Sequence, residues 1–256
     1  MSLSEILLDS WILTKRSMKH IVKNMDQLLG VAIMPIMFLL LFRYVFGGAI
    51  DTGGTTYVNF LVAGILVQTL AFGASTTAIN LVLDMKRGVI DRFRSLPMFA
   101  PALVVSHTVA DLARNFISGT IMIGVAFLVG FRPTASFNEW LMIIGLLLLF
   151  TFAISWLSAI LGLLAKSFEA IQWMTFVIIM PLTFASSAFV PTEGMPGVVK
   201  VFAENQPFTK VIEAMRAWMV GTPIGDAGIA AFIWCIGILV VSIPLAIFLF
   251  NRKTPN

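Results

Sequence analysis

The residues of this chain best able to recognise or react gather in one short stretch. In DMKRGVIDRFRSLP, residues 84–97, the charges Arg87, Asp91, Arg92 and Arg94 surround Val89, Ile90, Phe93 and Leu96. Pro97 and Pro101 close the stretch, because residues before proline are pushed out of helical geometry. A short helix that is apolar and charged at once suits a groove on another protein. As a plain solvated loop, its arginines would only fix orientation. His107, Asp111 and Arg114 follow at helical spacing, so they share one face. His107 and His20 read as solvated side chains near a surface.

Other chemistry is missing. No G-x-x-x-x-G-K-[ST] phosphate loop occurs. Gly47, Gly48, Gly53 and Gly54 cluster without a lysine and read as a turn. No Ser/His/Asp set stands out, which argues against an intramembrane enzyme. The single cysteine, Cys235, can form no disulfide within the chain, and no Cys/His cluster could hold a metal. Ion-coupled transporters place ionisable groups at mid-depth. Here the deep polar groups are mostly neutral, as at Gln68, Asn80 and Gln172, while Arg43 lies near a span end and could snorkel. A chain of this kind is passive or borrows its energy.

The elements that position these residues belong in a bilayer. The 256 residues are 59% hydrophobic and 12% charged, with mean hydropathy +0.96. That leaves too little polar surface to cover a water-soluble globule. Crossing the hydrocarbon takes about 20 apolar residues. Five runs qualify, 28–46, 58–83, 140–165, 171–190 and 229–250, and a sixth, 115–131, extends back through 102–113. Pro35, Pro181 and Pro244 fall inside spans as packing kinks or hinges. The expected fold is therefore all-α and integral to the membrane, with six transmembrane helices in one domain over 1–256.

Six spans put both termini on one side, and charge selects it. Lys15, Arg16, Lys19, Lys23, Lys86, Arg87, Arg92, Arg94, Arg114, Lys166, Arg252 and Lys253 lie on that side, against Arg43, Arg132, Lys200, Lys210 and Arg216 on the other. Both termini are expected to be cytoplasmic, in a prokaryotic inner membrane. The first run follows about 27 polar and amphipathic residues without a convincing cleavage signal, so it reads as a retained span. Within 1–27, Leu3, Leu7, Trp11, Met18, Ile21, Val22 and Met25 share one arc beside Arg16, Lys19, His20 and Lys23, with Lys15 at the seam. This describes an amphipathic helix on the inner surface, as an anchor or also as a partner contact.

Two longer stretches carry a resemblance. GVIDRFRSLPMFAPALVVSHTVADLARN and SSAFVPTEGMPGVVKVFAENQPFTKVIEAMRAWMVG resemble type-2 ABC export permeases, in particular the daunorubicin-resistance-type drug exporters. The likeness covers essentially the whole chain. It implies a membrane subunit working with a separate ATP-binding subunit, in which ATP and Mg reside, and with a second permease copy. No nucleic-acid partner is expected.

The resemblance makes Arg87, Gly88, Asp91, Arg92, Phe93, Arg94, Leu96 and Pro97 a cytosolic coupling helix within the loop 84–101. It makes Trp11, Lys15, Arg16 and Lys19 a second ATPase contact. The segment 191–227 would hold short re-entrant helices in the outer leaflet that close the pathway, with Pro191, Pro196, Pro207, Glu213 and Arg216 as an outer gate. Phe208, Val211, Ile212, Met215 and Trp218 form the apolar half of that segment. Phe38, Phe42, Phe72, Met174, Met180 and Phe184, with Gln68 and Gln172 as polar handles, are candidates to line a path for hydrophobic cargo, since Met and Phe repack around varied shapes. Alternative readings are a permease for a lipid-linked glycan, or a membrane sensor or scaffold that recruits an ATPase.

Overall fold

In the computed structural model the hydrophobic runs become helices. The structure describes residues 14–15, 25–50, 52, 55–86, 102–165 and 167–253, with 25–32 as backbone. In chain order the helices are α1 (Met25–Leu41), α2 (Tyr57–Lys86), α3 (Ala102–Leu128), α4 (Phe137–Leu164), α5 (Phe168–Phe184), α6 (Gly197–Asn205), α7 (Pro207–Val220) and α8 (Ala227–Lys253). A π-helical turn, Phe42–Phe46, extends α1, and a 3₁₀ turn, Thr192–Gly194, precedes α6. No strand occurs among the described residues.

Local chemistry sets the ends. Ser136 and Glu139 form a reciprocal capping box at α4: the Ser136 N–H donates to the Glu139 carboxylate at 2.6 Å, and the Ser136 hydroxyl accepts from the Glu139 N–H. The Ser167 hydroxyl accepts the Ala170 N–H at the start of α5. Pro35, Pro181 and Pro244 lie inside α1, α5 and α8.

Four helices, α2, α3, α4 and α8, are long and apolar enough to cross a bilayer, whereas the apolar helices Ile33–Phe46 and Phe168–Phe184 are shorter. The fifth run, expected over 171–190, leaves helical geometry after Phe184. There Ala185 N–H closes on the Pro181 carbonyl, and Ser186 hydroxyl accepts the Ala188 N–H.

α2 is the axle of the fold. It is buried along most of its length, and its polar side chains Thr69, Thr77 and Asp84 face other helices or its own backbone, so it must be surrounded. It packs against α1, α3, α4, α5 and α7. α8 lies on α4 and α7 and leaves Ile229, Ile233, Val240 and Phe248 exposed on its far side.

Lipid tails are as apolar as leucine, so helices associate by close packing at small residues. An added Cβ at Gly162 of α4 would lie 2.8 Å from the Ala78 Cα of α2, and one at Gly64 of α2 would lie 2.6 Å from the Ala188 Cα. Gly162→Val is expected to force α2 and α4 apart and cost about 1–3 kcal/mol. Gly145→Val, where nothing stands within 4 Å, should change stability little. Apparent Tm of the two purified variants in detergent checks this, and equal values would remove the close-packing account.

Candidate functional site

A cavity of about 270 Å³ opens between α1, α2 and α5, lined by Met34, Pro35, Phe38, Gln68, Phe72, Phe176 and Met180. Four residues chosen from the sequence, Phe38, Gln68, Phe72 and Met180, meet there. Met34, Pro35 and Phe176 join them without having been anticipated. Gln68 is 2% exposed, and both its amide oxygen and its amide nitrogen are buried without a hydrogen-bond partner. Such groups cost free energy until something pairs with them. No lining residue is ionisable. Gln172 is exposed and Met174 half-buried earlier in α5, and neither lines the cavity.

One turn beyond the cavity, Phe42 and Phe184 join Phe38 in an aromatic cluster around Phe189. The Phe42 and Phe189 rings stack at 4.4 Å, Phe184 lies 4.9 Å from Phe189, and Phe38 lies 6.2 Å from Phe189. Phe189, part of the second stretch that carries the resemblance, was not among the expected lining residues because it falls where a span was expected to continue.

The same end of the molecule is pinned by buried polar groups. Tyr57 OH donates to the Phe189 carbonyl at 3.0 Å. The Gln206 amide donates to the carbonyls of Leu182 and Ala185 at 2.7 and 2.6 Å, occupying oxygens left at the end of α5. Arg216 of α7 donates to the carbonyls of Phe60 and Ser187, with its guanidinium 3.6 Å from the Phe60 ring centre. Burial pulls Arg216 down to about 10, and Glu213 opposes that shift. Burial pushes the Glu213 carboxyl up, against Lys210 and Arg216.

Pro191 and Pro196 stand at the N-caps of the 3₁₀ turn and α6, and Pro207 begins α7. The apolar half of α7 faces the other helices of the bundle. Phe208, Val211, Ile212 and Met215 are buried, and α7 packs on α2, α4 and α8. Its hydrophobic face is covered by protein, because α2 offers an apolar wall at that end.

The opposite end, where α2 finishes and α3 begins, corrects one expectation outright. His107 is 9% exposed and its Nε2 lies 2.9 Å from an Asp84 carboxylate oxygen, so it is paired with α2 and not solvated. Deeper in, Asp111 is fully buried, ion-paired with Arg114 and hydrogen-bonded by the Thr77 hydroxyl of α2. Asn115 donates to the Asp111 carbonyl at 3.0 Å, and its side chain crowds Gly73. The spacing of His107, Asp111 and Arg114 was visible in the sequence. Their partners on α2 were not, since Thr77 sits in an apolar run and Asp84 just past its end, with no pattern of their own.

Lys15 is helical and exposed. Trp11, Arg16 and Lys19, and the whole set Arg87, Gly88, Asp91, Arg92, Phe93, Arg94, Leu96 and Pro97, lie outside the described residues. Among the described residues no group of His, Cys, Asp and Glu could hold a metal ion.

Comparison with known proteins agrees with this arrangement of apolar helices. The family model for the ABC-2 type transporter matches residues 9–220. The chain is 32% identical over 231 residues to the daunorubicin resistance ABC transporter permease protein DrrB1 of Streptomyces coeruleorubidus, covering 90% of this chain and 81% of that one. It is 25% identical over 240 residues to the probable doxorubicin resistance ABC transporter permease protein DrrC of Mycobacterium tuberculosis, covering 91% and 85%. It is 21% identical over 232 residues to the inner membrane transport permease YadH of Escherichia coli, covering 88% and 87%. A family match over most of the chain, carried on a bundle of membrane-length helices, places this protein in the ABC-2 type transporter family as a multi-pass membrane permease.

Proposed function

We propose that this chain is the membrane subunit of an ATP-driven exporter that moves a hydrophobic or amphipathic compound outward. In this reading α1 with its Phe42–Phe46 extension and α5 complete six spans, and both termini are cytoplasmic. A second copy of the chain faces the cavity, and a separate subunit binds ATP and Mg. That subunit grips residues 87–97 and the N-terminal contact at Trp11, Lys15, Arg16 and Lys19. The carrying observation is the unpartnered Gln68 amide in a cavity otherwise lined by Phe, Met and Pro. Such a pocket takes an apolar body and one carbonyl, hydroxyl or amide. A lipid-linked glycan needs a polar lining, which a single amide does not provide.

The cavity alone is small for a drug-sized molecule, which calls for a few hundred Å³ or more. α1 and α5, which flank it, leave Met34, Met37, Trp173 and Val177 exposed. A second copy across these faces would enlarge the space. Displacement of the 87–97 segment then rotates spans as rigid rods and narrows the cavity. The pinned end, with Arg216 on the Phe60 and Ser187 carbonyls, serves as the outer gate.

Three outcomes are expected of the chain co-expressed with its ATP-binding subunit in vesicles. Daunorubicin and doxorubicin, named for two relatives, are the first probes. Gln68→Leu leaves assembly intact and lowers export of a carbonyl-bearing probe by about fivefold to tenfold, as expected for one lost buried hydrogen bond. Unchanged export and unchanged ATPase stimulation in Gln68→Leu, Phe38→Ala and Phe72→Ala would eliminate the cavity as the path.

Reversing Arg92 and Arg94 to Glu abolishes export and weakens co-purification of the ATP-binding subunit, with membrane insertion preserved. Normal export from that double variant removes the coupling assignment. Arg216→Lys, whose single ammonium cannot fork between two carbonyls, makes preloaded vesicles leak probe without nucleotide. Tight vesicles would show that Arg216 does not hold the gate.

A further inference from the structure

The polar contacts between α2 and α3 form an antiparallel ladder. The Thr77 hydroxyl donates to Asp111 and Asp84 pairs with His107, while Gly73 makes room for the Asn115 side chain and Arg114 neutralises Asp111 from within α3. On α2, positions 73, 77 and 84 lie within about 40° of one another at 100° per residue. On α3, positions 107, 111 and 115 repeat every four residues and fall on one stripe. Nothing in the transport reading above uses this ladder, yet it contains the buried ion pair of a chain otherwise nearly free of charge inside its spans.

Its placement is informative. The two helices it joins are the ones whose ends are connected by residues 87–101. The face of α2 that carries the ladder lies opposite the face that carries Gln68 and Phe72, roughly 140° away. α2 thus has the cavity on one side and α3 bolted to the other. In hydrocarbon, apolar packing discriminates poorly between registers, because lipid replaces a lost neighbour at little cost. Polar contacts that cross between helices discriminate strongly, since a slip of one turn takes the Thr77 hydroxyl from the buried Asp111 carboxylate and parts Asp84 from His107.

We propose that α2 and α3 travel as one rigid lever, held in register by Asp111 and His107 of α3 against Thr77 and Asp84 of α2. These four are positioning residues for transport: none lines the cavity, and together they make α2 and α3 move as one body. This rests on the exporter reading, and the test separates the two.

The complex of permease and ATP-binding subunit, in a Cys235→Ser background, is spin-labelled in pairs and measured with and without trapped nucleotide. One pair, at Asn80 and Ile117, spans α2 and α3. A second pair, at Asn80 and Val177, spans α2 and α5. The α2–α3 distance is expected to stay constant within about 2 Å while the α2–α5 distance shifts by more than that. In Thr77→Val with His107→Leu, which removes both contacts that cross between α2 and α3, the ATP-binding subunit still co-purifies, the α2–α3 distance distribution broadens, and at least half of the α2–α5 shift is lost.

A nucleotide-driven change in the α2–α3 pair of the otherwise native chain overturns the lever while leaving the exporter reading in place. An α2–α5 pair that never moves overturns both. A full α2–α5 shift in the double variant overturns the positioning role. If that variant fails to insert, the native-chain pairs still decide.

Discussion

The fold depends on how an apolar medium treats a buried charge. Asp111 and Arg114 are 0% and 6% exposed in a chain with few charges, and each would cost several kcal/mol if left alone there. Together they are tolerable; separated, they are not. The pair lies within α3, so the constraint on α2 comes from what crosses to it. The Thr77 hydroxyl donates to the Asp111 carboxylate and Asp84 pairs with His107, which makes one arrangement of α2 and α3 far better than its neighbours. The rest of the bundle is then arranged around an axle whose partner and register are fixed on one side.

The other side of that axle follows a different rule. Against α4 and the 185–188 turn, α2 presents Ala78 and Gly64, and contact is made by backbone approaching backbone. Against α1 and α5 it presents Gln68 and Phe72, and contact is incomplete, leaving the cavity. These three solutions grade from fixed to loose around one helix. In the proposed transport cycle, the loose face is the one that has to change volume. A cavity bordered by Phe and Met deforms cheaply, since those side chains repack without stranding polar groups, whereas the ladder face cannot yield by small increments.

Most of the architecture could be read from the sequence because hydropathy in a bilayer is nearly a length measurement. The runs over 58–83, 140–165 and 229–250 returned as α2, α4 and α8, and the weak run at 115–131 did extend back to Ala102. Two features were harder to see. The run over 171–190 is apolar enough to read as one span, yet its last third leaves the helix, where Gln206, far along the chain, occupies the Leu182 and Ala185 carbonyls. His107 looked solvated because pairing with Asp84 depends on α2 and α3 meeting antiparallel, which no single stretch of sequence states. Gln68, Phe38, Phe72 and Met180 were picked out as large or amide-bearing side chains inside spans, and the packing of α1, α2 and α5 brings them to one cavity. Gln172 fitted the same description, but its position turns it outward.

The polar groups at the two ends of the bundle use the same chemistry for opposite purposes. At the end bearing α7, Arg216, Gln206 and Tyr57 spend their donors on backbone carbonyls. These bonds reach the first turn of α2, the last turn of α5 and the turn that follows it, and those carbonyls can be given up to water one at a time. At the Lys86 end, the partners are side chains on two intact helices, so nothing can be released without moving a whole helix. An assembly pushed at the Lys86 end would then transmit displacement along stiff rods and yield at the α7 end, where the bonds are individually replaceable. That asymmetry is the mechanical property an outward-opening gate requires, and it arises from where a bilayer protein chooses to pair side chain with side chain and where with backbone.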